Sequence, residues 1–256
     1  MLGFNGGLIG ARRVPATGAA SGLWLPNEQS VAKRAGIWPT TDDPYFANVS
    51  LLLHMDGANG STTFIDNSNN ALSVTAVGAA AITTSVPRFG SGAASIPGPG
   101  SHLAVPYNAG FTFPGSFDVA MWLNPATSSL ANTRGFFELG TYDNGVFLRS
   151  SVFSNDTVYV NGTNLGNITP FLVPDEWQYI QVSRNPQNLV EVRISGVLRL
   201  TGTVPGTVNS ANVGLTIGRT APGGSPEGFA GYVDELRITK GINRLTEVPA
   251  APFPDG

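Results

Sequence analysis

From Val49 onward the chain runs in short apolar stretches, many of them alternating in polarity residue by residue, each closed off by Gly, Pro, Asn or Asp. Alternation with a period of two puts successive side chains on opposite faces of an extended strand, so each stretch predicts a strand with at least one buried face. Phe117, Val119, Met121 and Leu123 share one parity, while Asp118, Ala120 and Asn124 share the other with the large Trp122 among them. That predicts a central strand partly covered on both sides. The series continues over 49–55, 145–151, 157–160, 177–184, 189–195, 197–201, 213–219 and 232–239, giving roughly a dozen strands at the spacing of a sandwich. Ser195-Gly196 is placed as a tight hairpin turn and Asn185-Pro186-Gln187-Asn188 as a second turn, and hairpins throughout imply antiparallel sheets. No helix longer than roughly two or three turns is expected.

The first 47 residues differ: they are rich in Gly, Ala and Pro and lack the alternation. Within them Asn27 is a reasonable N-cap, Glu28 to Ala35 a short helix and Gly36 its stop. A helix below about 12 residues is marginal in water alone. Trp24, Val31 and Trp38 are therefore candidates for docking this piece on a surface, either its own domain or a neighbouring subunit. The expected organisation is an N-terminal docking arm over 1–47, a β-sandwich over 48–245 and a Pro-rich C-terminal strap over 246–256.

Composition narrows the partners. Thirty-two Gly and 19 Pro suit many turns, and two Lys among 14 basic residues argue against helices. With a net charge of −3 and scattered arginines there is no basic field for phosphates, so nucleic acid is not expected as a partner. No cysteine is present to form a disulfide or a thiolate metal site. No apolar run reaches the roughly 20 residues of a membrane span and no signal sequence is visible, so a product made in the cytoplasm is expected. Five Asn-x-Ser/Thr matches, at Asn48, Asn59, Asn155, Asn161 and Asn167, are what a chain rich in these residues gives by chance.

Catalytic constellations are hard to find. A sandwich glycosidase needs an acid and a nucleophile about 5 Å apart on one strand face, and no predicted strand has carboxylates at alternating positions. Asp234 and Glu235 are adjacent, so they are expected to point to opposite faces, with Asp234 inward alongside Tyr232, Leu236 and Ile238. A carboxylate buried there must be satisfied by backbone donors, an arginine or a metal, and anchoring a loop is the expected role. Asp175-Glu176 has no partner in register. His54 and His102 are far apart in sequence and are expected as core or edge residues. No nucleophile elbow or phosphate loop occurs, and Gly98-Pro99-Gly100 reads as a turn. Tyr107, Phe111, Phe113, Tyr142 and Phe147 lie near predicted loops where exposed rings could stack on sugars, though most are expected in the core.

Five ordered segments, Leu51–Gly57, Phe64–Ser68, Phe89–Ser95, Trp177–Arg184 and Phe229–Ile238, resemble successive landmarks of concanavalin-A-like, laminin-G-type domains. The resemblance runs from about Val49 to Arg244, and Ser195-Gly196 falls where the family has its hairpin glycine. It implies an all-β, antiparallel jelly-roll sandwich behind a mostly irregular N-terminal arm with one short helix. The variety opening Leu51-Leu52-Leu53-His54-Met55-Asp56-Gly57 and closing Asp234-Glu235-Leu236-Arg237-Ile238-Thr239-Lys240-Gly241 looks like one found in virion proteins of tailed bacteriophages, and Gly22–Trp24 through Ile37–Pro39 is similar to leaders found there. The function implied is a virion structural protein, tail- or fibre-associated, that docks by its arm and turns a glycan-binding sandwich toward the host surface. A capsid decoration protein or spike is the alternative, and a glycoside hydrolase a lesser one; no enzyme activity and no catalytic or cofactor residues are expected. Other virion proteins are the expected partners, with a homo-oligomer whose symmetry in fibres and spikes is commonly threefold. No cofactor is assigned; calcium, which laminin-G-like domains often bind at a sheet edge, is the one left open. Asp56, Asp66 and Asp143 lie in loops that could contribute, but they read first as turn residues.

Overall fold

The computed structural model describes residues 43–151, 157–220, 227–244 and 247–255. The predicted arm helix and the docking candidates Trp24, Val31 and Trp38 lie outside the described residues. Tyr45–Phe253 is one compact unit. Its strands are β1 Val49–Leu53, β2 Thr63–Phe64, β3 Val74–Val77, β4 Ala81–Thr83, β5 Ala93–Pro97 and β6 His102–Val105. They continue with β7 Phe117–Pro125, β8 Arg134–Thr141, β9 Asn144–Ser150, β10 Val158–Val160, β11 Thr163–Gly166 and β12 Gln178–Arg184. The last are β13 Leu189–Ile194, β14 Val197–Thr203, β15 Leu215–Ile217, β16 Arg219–Thr220, β17 Glu227–Gly228 and β18 Ala230–Lys240. One α-helical turn, α1 at Thr127–Leu130, is the α-helix among the described residues.

Two sheets face each other. The first has the order β14-β13-β12-β7-β18-β5-β4, with β1 also on β18. The long β18 runs beside β7 on one edge, and on the other it pairs with β5 over its first half and β1 over its second. The second sheet has the order β11-β10-β9-β8-β15-β6-β3-β2, with β16 and β17 joined at β8. All pairings are antiparallel except the Gly228–Gly135 bridge of β17 to β8.

The alternation read from the sequence fills the space between the sheets. All nine residues of β7 are buried: Val119, Met121 and Leu123 enter the main core, while Ala120 and Trp122 join a smaller cluster on the sheet's outer side. In β1, likewise, Leu51 and Leu53 point in and Leu52 points out. Phe113 stacks on Phe117 at 4.8 Å, and Phe136 meets the edge of Phe229 at 5.5 Å. The outer cluster is covered in part by the C-terminal segment, where Phe253 packs near Tyr179 under the Arg237 guanidinium, with Val248 alongside. Burying such rings is worth about 1.5–3 kcal/mol each, so this face is a second core.

One sequence expectation is corrected and another is met. The single strand over 213–219 is split into β15 and β16 at Gly218, whose φ of 87° breaks the extended run. The turn at Ser195-Gly196 is as expected, both residues having positive φ (47° and 81°), as a two-residue hairpin of twisted strands requires.

Candidate functional site

In the second sheet, core-facing residues fix which side chains look outward. Val146 and Leu148 of β9 are core, so Phe147 and Arg149 point out; Val158 and Val160 of β10 leave Tyr159 outside. By the same parity Glu138, Thr216, His102 and Ala104 face away from the core on β8, β15 and β6, beside core residues Leu139, Leu215, Ile217, Leu103 and Val105. The register joins many of these into one line: Asn164 opposite Tyr159, then Phe147, Glu138, Thr216, Ala104, Thr75 and Thr63. At about 4.8 Å per strand this line crosses roughly 34 Å of sheet.

Its two ends differ in chemistry. Toward β10, Tyr142 lies 4.4 Å from Tyr159 and 5.5 Å from Phe147, and Arg149 sits 5.6 Å above the Phe147 ring. Phe147 and Tyr159 are buried, so this is a packed aromatic patch with Tyr142 and Arg149 half-exposed. Toward β3 the face is open and hydroxyl-bearing, with Thr216 half-buried and Thr75 and Thr63 exposed. A second cross-strand line runs Arg149, Gly135, Gly228, Arg219. His102 is 7% exposed, and its Nδ1 has no hydrogen-bond partner. Burial, and then the neighbouring Arg219 charge, hold its imidazole below the ordinary histidine range and hence neutral near pH 7.

The carboxylates singled out from the sequence are structural anchors. The expectation that Asp234 points inward and Glu235 the opposite way is corrected: a bulge between Asp234 and Arg237, with Glu235 at φ 48°, turns both to the outer side of the first sheet. Asp234 is in register with Trp122 of the outer cluster. Its Oδ2 accepts the amides of Arg88 (2.7 Å) and Phe89 (3.1 Å), and Oδ1 that of Glu235 (2.8 Å). Burial outweighs these bonds and pushes its carboxyl up to about 7. Glu235 meets His54 Nδ1 at 2.9 Å and accepts the Phe253 amide at 2.8 Å. The two histidines thus serve separately, His54 on the first sheet and His102 on the second.

Asp66 accepts the amides of Leu52, Ser68 and Leu72, and Asp56 those of Ser91 and Gly92; both close loops, as their turn context predicted. Asp143 is exposed in the β8–β9 turn and is not brought to either. Asp175 accepts the Thr127 hydroxyl. Among the described residues no three His, Cys, Asp or Glu side chains cluster as a metal site, and no helix is long and apolar enough to cross a membrane. Of the aromatic candidates, Phe111 and Phe113 are core, Phe147 is covered on the outer face, and Tyr107 is exposed with its hydroxyl 3.0 Å from that of Thr112.

Sequence reasoning passed over Asp118, which is fully buried on the outer side of β7. Its Oδ2 accepts Gln181 Nε2 at 2.7 Å, its Oδ1 has no partner, and burial raises its carboxyl to about 7 despite nearby Arg237. The visible signal was a lone acid on the strand face that also carries Ala120 and the large Trp122.

No curated protein matches the sequence. Solved structures share the fold. Domain 4 of AbnA, a GH43 extracellular arabinanase from Geobacillus stearothermophilus in complex with arabinotriose, superposes with a TM-score of 0.54 at 20% identity, over 77% of this chain and 95% of that one. The Botulinum Neurotoxin Type G Receptor Binding Domain gives 0.54 at 14% identity over 78% and 49%, and the binding domain of Paraclostridial Mosquitocidal Protein 1 gives 0.56 at 14% over 78% and 50%. The chain spans about half the length of these toxin domains. The profile of the laminin-G family described as "Concanavalin A-like lectin/glucanases superfamily" matches residues 97–248. That match covers more than half of the chain, which therefore belongs to the concanavalin A-like lectin/glucanases superfamily.

Proposed function

We propose that this protein is a bacteriophage virion component, tail- or fibre-associated, that docks through its first 47 residues and presents the sandwich as a non-catalytic glycan-binding module. The outward line on the second sheet carries the binding reading. It offers hydroxyls and an aromatic edge with Glu138 as its one carboxylate, an arrangement for holding a sugar chain rather than for acid and nucleophile chemistry. The arabinotriose on the AbnA domain supports this, since that domain has the same fold over nearly its full length. The virion reading rests on the two landmark segments that open and close the phage variety. They are partners in one ladder, Leu51 opposite Ile238 and Leu53 opposite Leu236.

A map of the intact particle by cryo-electron microscopy tests the location. Density for the sandwich at the tail is the expected result; density across the capsid lattice would make it a decoration protein. Deleting Met1 to Ile37 is expected to leave a folded sandwich that no longer joins the particle, and normal occupancy of the truncated protein would sink the docking role. Release of reducing ends from a host polysaccharide by the purified chain would overturn the non-catalytic reading.

A further inference from the structure

At one end of the second sheet an exposed ring stands among amides that the fold holds in place. The segments 106–112, after β6, and 205–214, between β14 and β15, meet there. They border the outward line, with Pro106 two residues beyond Ala104 and Gly214 two before Thr216, about 7 Å along the strands. Tyr107 and Val213, 39% and 38% exposed, are two of the large apolar side chains left in water among the described residues. Their segments touch, since the Tyr107 amide nitrogen lies 3.1 Å from where a Cβ on Gly214 would stand.

Hydrogen bonds fix this rim. Thr112 Oγ1 lies 3.0 Å from the Tyr107 hydroxyl and donates to the Asn209 carbonyl at 3.1 Å. Asn209 is fully buried; its Nδ2 donates to the carbonyls of Phe111 and Val213, and its Oδ1 accepts the Val213 amide. Phe113 and Val208 exchange backbone hydrogen bonds, and Asn144 Oδ1 accepts the Ala211 amide at 2.9 Å. A ring tethered in this way gives up little freedom when a ligand lands on it. Asn212 stands beside it: its Oδ1 is 3.5 Å from the same Thr112 oxygen, which brings amide and ring within reach of one small ligand. The Asn212 Nδ2 makes no hydrogen bond among the described residues. The two segments contain no Lys, Arg, Asp or Glu. A neighbouring charge is the exposed carboxylate of Asp143, next to Asn144, and it disfavours anions.

We infer that this rim is a subsite for an uncharged sugar, whose C–H face lies on the Tyr107 ring beside Val213 while its hydroxyls bond the Asn212 amide. This rests on the glycan-binding reading above and names the sugar class and the residues that take it. A sugar ring has a face of C–H groups and an edge of hydroxyls, so an aromatic face with an amide at its margin matches both. A uronate or sulfate brought here would be desolvated without an opposite charge to meet it, whereas a neutral sugar has no such cost.

NMR titration of amide signals in the full chain, with three probes, locates and ranks binding. The probes are α-1,4-linked galactotriose, trigalacturonate, which is the same chain bearing carboxylates, and arabinotriose. Both neutral chains are expected to shift signals of 106–112 and 205–214, and galactotriose to bind about tenfold more tightly than trigalacturonate. Tyr107→Ala should weaken galactotriose about tenfold and Asn212→Ala about threefold to tenfold, with unchanged melting temperatures. Tyr107→Phe, which keeps the ring, should stay within about threefold of the parent. Thr75→Val on the outward line should have no effect. Shifts confined to the outward line, with binding sensitive to Thr75→Val and indifferent to Tyr107→Ala, overturn the rim assignment while glycan binding stands. Tighter binding of trigalacturonate overturns the neutral class. If none of the three probes shifts a signal, the glycan reading falls and this inference with it.

Discussion

Two buried aspartates on the outer side of the first sheet make opposite use of the same chemistry. Asp234 spends its oxygens on three backbone amides and so fixes the segment at Arg88-Phe89, whose guanidinium and ring then lie against Trp122 at 4.1 and 5.8 Å. Asp234→Ala strands those amides and is expected to cost about 1–3 kcal/mol, read as a lowered melting temperature; an unchanged value would remove the anchoring role. Asp118 instead has one bonded and one bare oxygen. Burial raises both carboxyls to about 7, above the unfolded value near 3.9. The folded state therefore holds these protons more tightly than the unfolded chain does. Their contribution is present in full below about pH 4 and is lost as pH rises through about 7. Thermal unfolding should show a melting temperature that declines across that window. Asp118→Asn, which keeps an oxygen for Gln181, should flatten the decline; an equally steep one would show that Asp118 titrates as it does in the unfolded chain.

Strands with room for several alternations were legible in the sequence, β7, β12, β13, β14 and β18 among them. Three short ones were not: β2, β3 and β4 have two to four residues, too few to define a period. β8 was missed for another reason. Its bulge between Gly135 and Phe137 sends both Phe136 and Phe137 into the core, which erases the alternation. The bulge in β18 likewise reversed the facing of Asp234, because parity counting assumes an unbroken pleat. The candidate binding face was legible only as a list of residues, since register, not sequence, aligns Arg149 with Arg219 across four strands. At this scale the C-terminal segment is the sharpest test of the outer cluster. Phe253 is 5% exposed, capped by the Arg237 guanidinium at 4.0 Å, and its amide is held by Glu235. Phe253→Ala should destabilise the domain by about 3 kcal/mol in urea unfolding, whereas a loss near zero would mean the segment lies there without adding stability.

Across the whole compact unit, the contacts that close the first sheet join residues far apart in the chain, Val49 with Thr239 and Ser95 with Tyr232. Such pairings are slow to form, because long loops must be ordered before any pairing is gained. A chain stopped at Phe229 lacks β18 and leaves β1, β5 and β7 without their shared neighbour. It should be digested under conditions where the full chain resists protease, and equal resistance would show that the sheet closes without that strand. The same geometry bears on synthesis. While a ribosome is still adding residues 230–240, the apolar strands already made have no finished sheet to enter, and each nascent copy presents unsatisfied edges to its neighbours on the same message. Yield in a host cell should therefore depend on how long chaperones shelter that interval, which makes translation speed near the codons for β18 a lever on how much protein reaches its folded form.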